Sequence, residues 1–391
     1  MKPDASWNAL WEGWRRRVEA LVREHPLQLI SWEATRRCNL RCIHCGSPSE
    51  EVNLDEELTA DEVVGAFEQI ATDFDMRQFH HVNITGGEPF VRHDLLGILR
   101  RISRWPVYRN IDIQTNGIVL ADCPGILDEL KECGVTGLGI SIDGLEATHD
   151  VFRCMTGGFA RAFKAARLAV EKGYTVTVSI VAHAKNVTEI PALFNIVKKE
   201  IRPRNFRVMT LDSAGRAEHL VGYMLSAEQL RRAIEFLRAE YARSCSTYAD
   251  PQATMVELGC GGWMGTELEG MIRPLVFHCI AGINNLGILY DGKLASCSNI
   301  SREFIQGDLR TQRVKKVWET QYRQFRHFEW KRCGVCAACD QWPFCHGGPM
   351  HKRAISGRLT DCLYELLKES FQPFPSPERT GPTLQVETAD E

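Results

Sequence analysis

The sequence has no run of about 20 apolar residues, which excludes an ordinary membrane-spanning helix and sets the expectation of no membrane insertion. Its N-terminus, MKPDASWNALWEGWRRRVEALVREHP, has no apolar core and no small-residue cleavage site, so it does not read as a secretory signal, and the cytoplasm is the expected compartment. It also lacks a dominant charge. Lys and Arg number 47 against 50 Asp and Glu, a net charge of -3, so no overall basic field recruits nucleic acid. No internal repeat is present, which argues against a solenoid.

Cysteine is abundant instead, with 15 in 391 residues. A reducing cytoplasm disfavours a disulfide framework, and clustered cytosolic cysteines point to metal. Cys38, Cys42 and Cys45 crowd one short stretch, and Cys333, Cys336, Cys339, Cys345 and Cys362 another. Cys260, Cys279 and Cys297 lie between them, while Cys123, Cys133, Cys154 and Cys245 are solitary and read as structural.

The length is too great for one ordinary core. Residues 6–24 carry a helical stripe of Trp7, Trp11, Trp14, Val18 and Leu21, read as a helix packed on the main body. From residue 27, strand-like runs at 27–35, 80–85, 110–115, 137–142, 175–182 and 205–211 alternate with helical runs at 59–74, 93–103, 126–134, 159–173 and 187–200. Six such strands imply a parallel sheet, too short for a closed eight-stranded barrel. Thr59 with Glu62, and Ser226 with Gln229, have capping-box spacing. The expected organisation is an N-terminal helix (1–26), a partial (β/α)6 TIM-like barrel of α/β class (27–215), a helical bridge (216–255) and a small cysteine-rich α+β domain (256–370). The last contains a hairpin around Asp291-Gly292, and a disordered tail follows over 371–391.

Cys38, Cys42 and Cys45 form C-x3-C-x2-C just after the first strand, where parallel α/β folds place active sites. Three thiolates can hold a [4Fe-4S] cluster through three irons and leave the fourth open for a small molecule. A zinc site completed by His44 or a distant cysteine is the alternative.

This motif, followed by TGGEP (85–89), QTNG (114–117), SIDG (141–144) and HDVFRCMTGGF (149–159) after successive strands, resembles radical S-adenosylmethionine (radical SAM) enzymes over roughly residues 27–215. The resemblance implies that Gly86 and Gly87 permit close backbone approach and that Glu88 pairs with the ammonium of SAM. It further implies that Arg153 meets the SAM carboxylate, with Asn116, Ser141 and Asp143 also at the cofactor. His44 stands where the family often has an aromatic residue near the adenine; an imidazole is flat enough to stack.

The C-terminal region resembles the SPASM extension, which holds one or two auxiliary iron–sulfur clusters. Cys336, Cys339, Cys345 and Cys362 match one ligand set, and Cys279 and Cys297 part of the other. Pro349 occupies a position where that family usually has a ligand, leaving Cys333 and Cys260 as the candidates to complete the set. One zinc or one cluster, with Cys260 and Cys279 merely buried, is the alternative.

The implied chemistry is reductive cleavage of SAM to a 5′-deoxyadenosyl radical that takes hydrogen from a substrate. An external donor of flavodoxin or ferredoxin type would supply the electron. The implied substrate is a ribosomally made peptide or protein. Residues 1–26 leave no room for a winged-helix peptide-docking domain, which weighs against the peptide reading; tetrapyrrole modification is the second enzymatic reading, and a metal-binding scaffold is the non-enzymatic one. No general base stands out. Asp212, Asp291 and Tyr290 are candidates by position, with surface hairpin residues the expected reading of the last two.

Overall fold

A computed structural model describes residues 5–47, 54–245, 250 and 253–369. The expected tail over 371–391 lies outside the described residues. The fold is built on one open ten-stranded sheet. Its first six strands are those expected from the alternation: β1 (Leu29–Glu33), β2 (His81–Thr85), β3 (Ile111–Thr115), β4 (Val135–Ser141), β5 (Thr175–Ala182) and β6 (Asn205–Thr210). They stand side by side in chain order, each parallel to the last.

Four further strands extend both edges. β7 (Met255–Leu258) adds parallel to β6, and β8 (Asn285–Ile288) adds parallel to β1 at the opposite edge. β9 (Lys293–Ala295) and β10 (Gly307–Asp308) continue antiparallel beyond β8. The hairpin expected around Asp291-Gly292 is therefore present, and it is also joined to the core sheet. Local pattern does not reveal this, because a parallel pairing is closed by a long crossover rather than by a turn.

Alternation along the strands sorts the two faces. Ile30 and Trp32 of β1 are fully buried on the helix side, where Trp32 meets Phe67 edge-on at 6.0 Å. Phe67 belongs to α2 (Ala60–Asp73), which begins with the expected capping box between Thr59 and Glu62. Ser31 lies on the other face and donates to Asn285 of β8. That face is largely polar: Gln114 donates to Asn83, and Arg207 pairs with Glu257. Gly137 and Gly139 in β4 leave room there for the Asp112 and Gln114 side chains. An added Cβ would lie 2.0 Å from an Asp112 oxygen and 1.9 Å from Gln114 Oε1. The sheet thus buries one face under helices and keeps a more polar face on the other, with the C-terminal strand ends leading into the loops of the site.

The N-terminal helix, Ala5–Glu24, packs Trp11 against Trp263 and Phe344, at ring separations of 5.7 and 5.3 Å. Among the described residues no helix is long and apolar enough to cross a membrane.

Candidate active site

The loop after β1 carries Cys38, Cys42 and Cys45, which lie in one small cluster with Leu40, Ile118 and Met155. Two neighbouring strand ends hold the loop in place. Gly87 N–H donates to Thr35 C=O at 2.7 Å, and Glu88 N–H to Arg37 C=O at 2.8 Å. A Cβ on Gly86 would stand 2.3 Å from Thr35 O, and one on Gly87 would stand 2.1 Å from Arg37 O. The close approach read from TGGEP is thus to the backbone of the cysteine loop itself, which only glycine permits. Asn116 Nδ2 reaches Asn39 at 2.8 Å from the end of β3, and Arg216 Nε reaches Cys42 C=O at 2.8 Å from the loop after β6.

Burial pushes the Cys38 thiol up to about 11, and burial likewise raises Cys42. Without a metal these groups hold their protons, so their thiolate form is coupled to metal binding.

Two carboxylates frame the loop. Glu88 is fully buried, accepting from Thr115 Oγ1 and Asn116 N–H at 2.8 Å each and from Phe90 N–H at 3.3 Å. Burial dominates and raises it to about 7, although these donors and the field of Arg153 pull the other way. Asp143 is also fully buried, yet it falls to about 2. Burial opposes its charge, but Arg153, His44, His149 and the Val181 amide together outweigh it. Arg153 Nε donates to Asp143 Oδ2 at 2.7 Å, and the Val181 amide donates to Oδ1 at 2.8 Å. Arg153 also feels the Cys42 and Cys38 thiols, so it bridges Asp143 and the cysteine loop. Ser141 ends β4 in register with Ser179.

His44 stacks on Phe152 at 3.9 Å with the rings within 2° of parallel, and Phe152 continues onto His183 at 4.1 Å. Burial lowers both imidazoles to about 4, so both are neutral at pH 7. His44 Nδ1 and His183 Nε2 are buried without a hydrogen-bond partner among the described residues. Sequence reasoning missed Phe152 and His183. The only signal for His183 was its place directly after the fifth strand.

In the C-terminal region, one cavity is lined by Cys336, Cys339, Cys345 and Cys362. Burial raises Cys345 to about 12, with Cys362 and Cys336 adding to the effect. Arg353 donates to Cys336 Sγ at 3.0 Å. Cys260 is drawn to a second group. Its residue surface is exposed, yet its thiol is desolvated and pushed up, with Cys279, Cys297 and Asp212 next in effect. Cys333 Sγ lies 3.3 Å from where a Cβ on Gly357 would stand, and the Cys336 amide donates to Cys333 C=O at 3.1 Å. Lys331 is buried beside Cys279, Cys345 and Cys336, and burial lowers it to about 8.

The three base candidates are engaged or enclosed. Asp212 pairs with His351 at 3.2 Å and Lys352 at 3.0 Å, and Asp291 pairs with Arg302. The surface reading of Tyr290 and Asp291 is corrected: they are 6% and 5% exposed, because β8 docks on β1 and carries them inward.

Among the described residues no three His, Cys, Asp or Glu side chains close on one point as a single ion needs. A lone zinc draws its sulfurs to about 2.3 Å from one centre. An iron–sulfur cluster takes each thiolate on a different iron, and the all-thiol, desolvated cysteine triplet and quartet have the donor chemistry for clusters.

Residues 32–195 match the family model of the radical SAM superfamily, and residues 279–340 that of the SPASM iron–sulfur cluster-binding domain. The chain is similar to the Fe-coproporphyrin III synthase of Methanosarcina barkeri, 32% identical over 54% of this chain and 50% of that protein. It therefore spans half the length of that relative. It is 26% identical to the AdoMet-dependent heme synthase of the same organism over 86% of this chain and 96% of that one. Similarity also extends to a mitochondrial GTP 3′,8-cyclase of Arabidopsis thaliana, 31% identical over 72% and 69% of the two chains. In fold it resembles Streptococcus suis SuiB bound to S-adenosylmethionine, with a TM-score of 0.64, 18% identity, and coverage of 90% and 81%. The SAM loops and cysteine groups described above thus belong to a member of the radical SAM superfamily, an enzyme of S-adenosylmethionine and [4Fe-4S] chemistry with a C-terminal SPASM domain for auxiliary clusters.

Proposed function

We propose that this enzyme oxidatively modifies carboxylate-bearing side chains of a tetrapyrrole. The observation that carries the reading is the near end-to-end similarity to an AdoMet-dependent heme synthase, over 86% of this chain and 96% of that one. The likeness to SuiB, at 18% identity, is one of fold. When bound, the reduced cluster and SAM would supply radical chemistry able to take a hydrogen atom from the substrate.

The chain's own residues prepare for this. Cys38, Cys42 and Cys45 hold the cluster, with the loop fixed by Gly86, Gly87 and Asn116. Glu88 receives the SAM ammonium, and Arg153, oriented by Asp143, faces its carboxylate. His44 and Ser141 line the adenosyl side. Cys336, Cys339, Cys345 and Cys362 hold one auxiliary cluster, and Cys260, Cys279 and Cys297 a second, with Cys333 the further candidate ligand. The site excludes bulk water once filled, which protects the protein from the radical. An external flavodoxin- or ferredoxin-type protein supplies electrons. The division into core (27–215), bridge (216–255) and SPASM region (256–370) belongs to the same reading.

Peptide modification is the competing reading, since the SPASM extension resembles that of peptide-modifying enzymes. Reconstituted enzyme with SAM and reductant is offered an iron porphyrin bearing propionates, or cysteine-, glycine- and aromatic-rich peptides. Porphyrin-stimulated 5′-deoxyadenosine release with a matching mass loss from the porphyrin is expected. Stimulation by peptides alone would replace this reading with the other.

A further inference from the structure

The docking of β8 on β1 assembles a second set of charged groups at the C-terminal end of β1. Glu33 ends β1 in register with Thr85, the residue before Gly86. It is 5% exposed and accepts from the Tyr290 amide at 3.3 Å through Oε2. The Arg36 guanidinium lies 5.7 Å from the centre of the Tyr290 ring, and that of Arg302 5.8 Å. Past the hairpin turn, the same segment leads to Cys297. Along the chain the group thus joins the loop that carries Cys38 to the segment that leads to Cys297.

Within this group Arg36, 23% exposed at its side chain, is the arginine whose Nε is left without a partner among the described residues. Arg302 is committed to Asp291. Nearby, Arg37 bonds Glu57 at 2.9 Å, Arg92 bonds Asp94 at 2.7 Å, and Arg153 bonds Asp143. Arg36 has only a 4.0 Å contact with Glu33 Oε1, and its Nε is buried without a hydrogen-bond partner among the described residues. A buried donor left unpaired is costly, and a guanidinium has the geometry to take a carboxylate through two parallel bonds.

We propose that Arg36, with the Glu33 carboxyl beside it and Tyr290 and Arg302 behind, binds a carboxylate of the substrate at this strand end. The inference deepens the reading of a carboxylate-bearing substrate and rests on it for the substrate's identity. Glu33 adds a pH dependence. Burial raises it to about 7, against the lowering effects of the Tyr290 amide, Arg36 and Arg302, while Asp291 adds to the rise. Protonated Glu33 donates to a carboxylate, and ionised Glu33 repels one. Carboxylate affinity therefore falls as pH rises through about 7.

The test titrates the reconstituted holoenzyme with a propionate-bearing iron porphyrin and with its methyl ester, at pH values from 6 to 9 (roughly one unit below Glu33's midpoint to two above). Arg36→Gln weakens the acid about tenfold or more and leaves the ester unchanged. Glu33→Gln flattens the pH dependence, which a merely structural role would not move. Iron content equal to the native enzyme's reports folding of each variant, and Arg36→Lys replaces Arg36→Gln if that variant is not recovered. Independently, glutarate protects Arg36 of the native holoenzyme from phenylglyoxal, read by peptide mass. Native-like acid binding by the Arg36 variant, or no protection by glutarate, overturns the site. Protection by glutarate without porphyrin binding keeps the site and discards the tetrapyrrole.

Discussion

At the end of β2, Glu88 is buried among neutral donors: a hydroxyl and two amides. At the end of β4, Asp143 is buried against the guanidinium of Arg153. The two strand ends lie either side of β3 in one sheet, yet one carboxyl is raised to about 7 and the other lowered to about 2. Hydrogen bonds from neutral groups only partly offset desolvation, whereas an adjacent opposite charge reverses it. Asp143 is complete within the protein. Glu88 is a buried anion site without its cation, which is the state expected of a residue that receives an ammonium from a ligand.

The comparison is broken most forcefully at Asp143. Asp143→Asn leaves Arg153 buried without its counter-charge and is expected to cost roughly 3–5 kcal/mol. Denaturant unfolding measures the loss; an unchanged midpoint would refute the pairing's role. In the native protein the Asp143 contribution is fully present above the unfolded value near 3.8 and is lost as pH falls toward 2.

Glu88→Gln acts on the ligand instead. SAM affinity is expected to fall about tenfold or more, with stability changing far less than in the Asp143 variant. Binding calorimetry checks it. The sign of the pH effect is also fixed. Glu88 must be ionised to receive an ammonium, so native SAM affinity rises with pH through about 7. Stability moves the other way: the folded protein holds this proton between pH 4.5 and about 7, so its stability decreases as pH rises across that window. Thr115→Val gives the smallest effect, removing one donor worth about 1 kcal/mol and moving the SAM-binding midpoint to higher pH. A midpoint unmoved in Thr115→Val would mean that the Thr115 hydroxyl does not govern the Glu88 charge. Opposite pH trends for SAM and for a substrate carboxylate separate Glu88 from Glu33, though both are raised to about 7.

What the sequence made legible follows chain locality. Cys38, Cys42 and Cys45 share one loop, and Cys336, Cys339 and Cys345 share another, so spacing announced them. The first six strands and both capping boxes were equally local, and the Ser226–Gln229 pair is present as expected. The proximity of Cys260 to Cys279 and Cys297 was open in the sequence, because it depends on where β7 and β8 join the sheet. Glu33 was not visible as a site residue at all. Its surroundings come from Tyr290, 257 positions away, and only the parallel pairing of β1 with β8 brings them together. Asp143 and Arg153 were both placed at the cofactor, and their mutual bond emerged only in three dimensions.

The most direct test of the account compares native enzyme with a Cys38/Cys42/Cys45→Ala variant, both reconstituted anaerobically. Iron and sulfide are counted, and 5′-deoxyadenosine release from SAM is measured with and without reductant. The account predicts that the variant loses about four irons, keeps its C-terminal clusters, and no longer cleaves SAM. Equal iron in the two proteins, or deoxyadenosine release by the variant, would contradict the placement of the SAM cluster on these three cysteines.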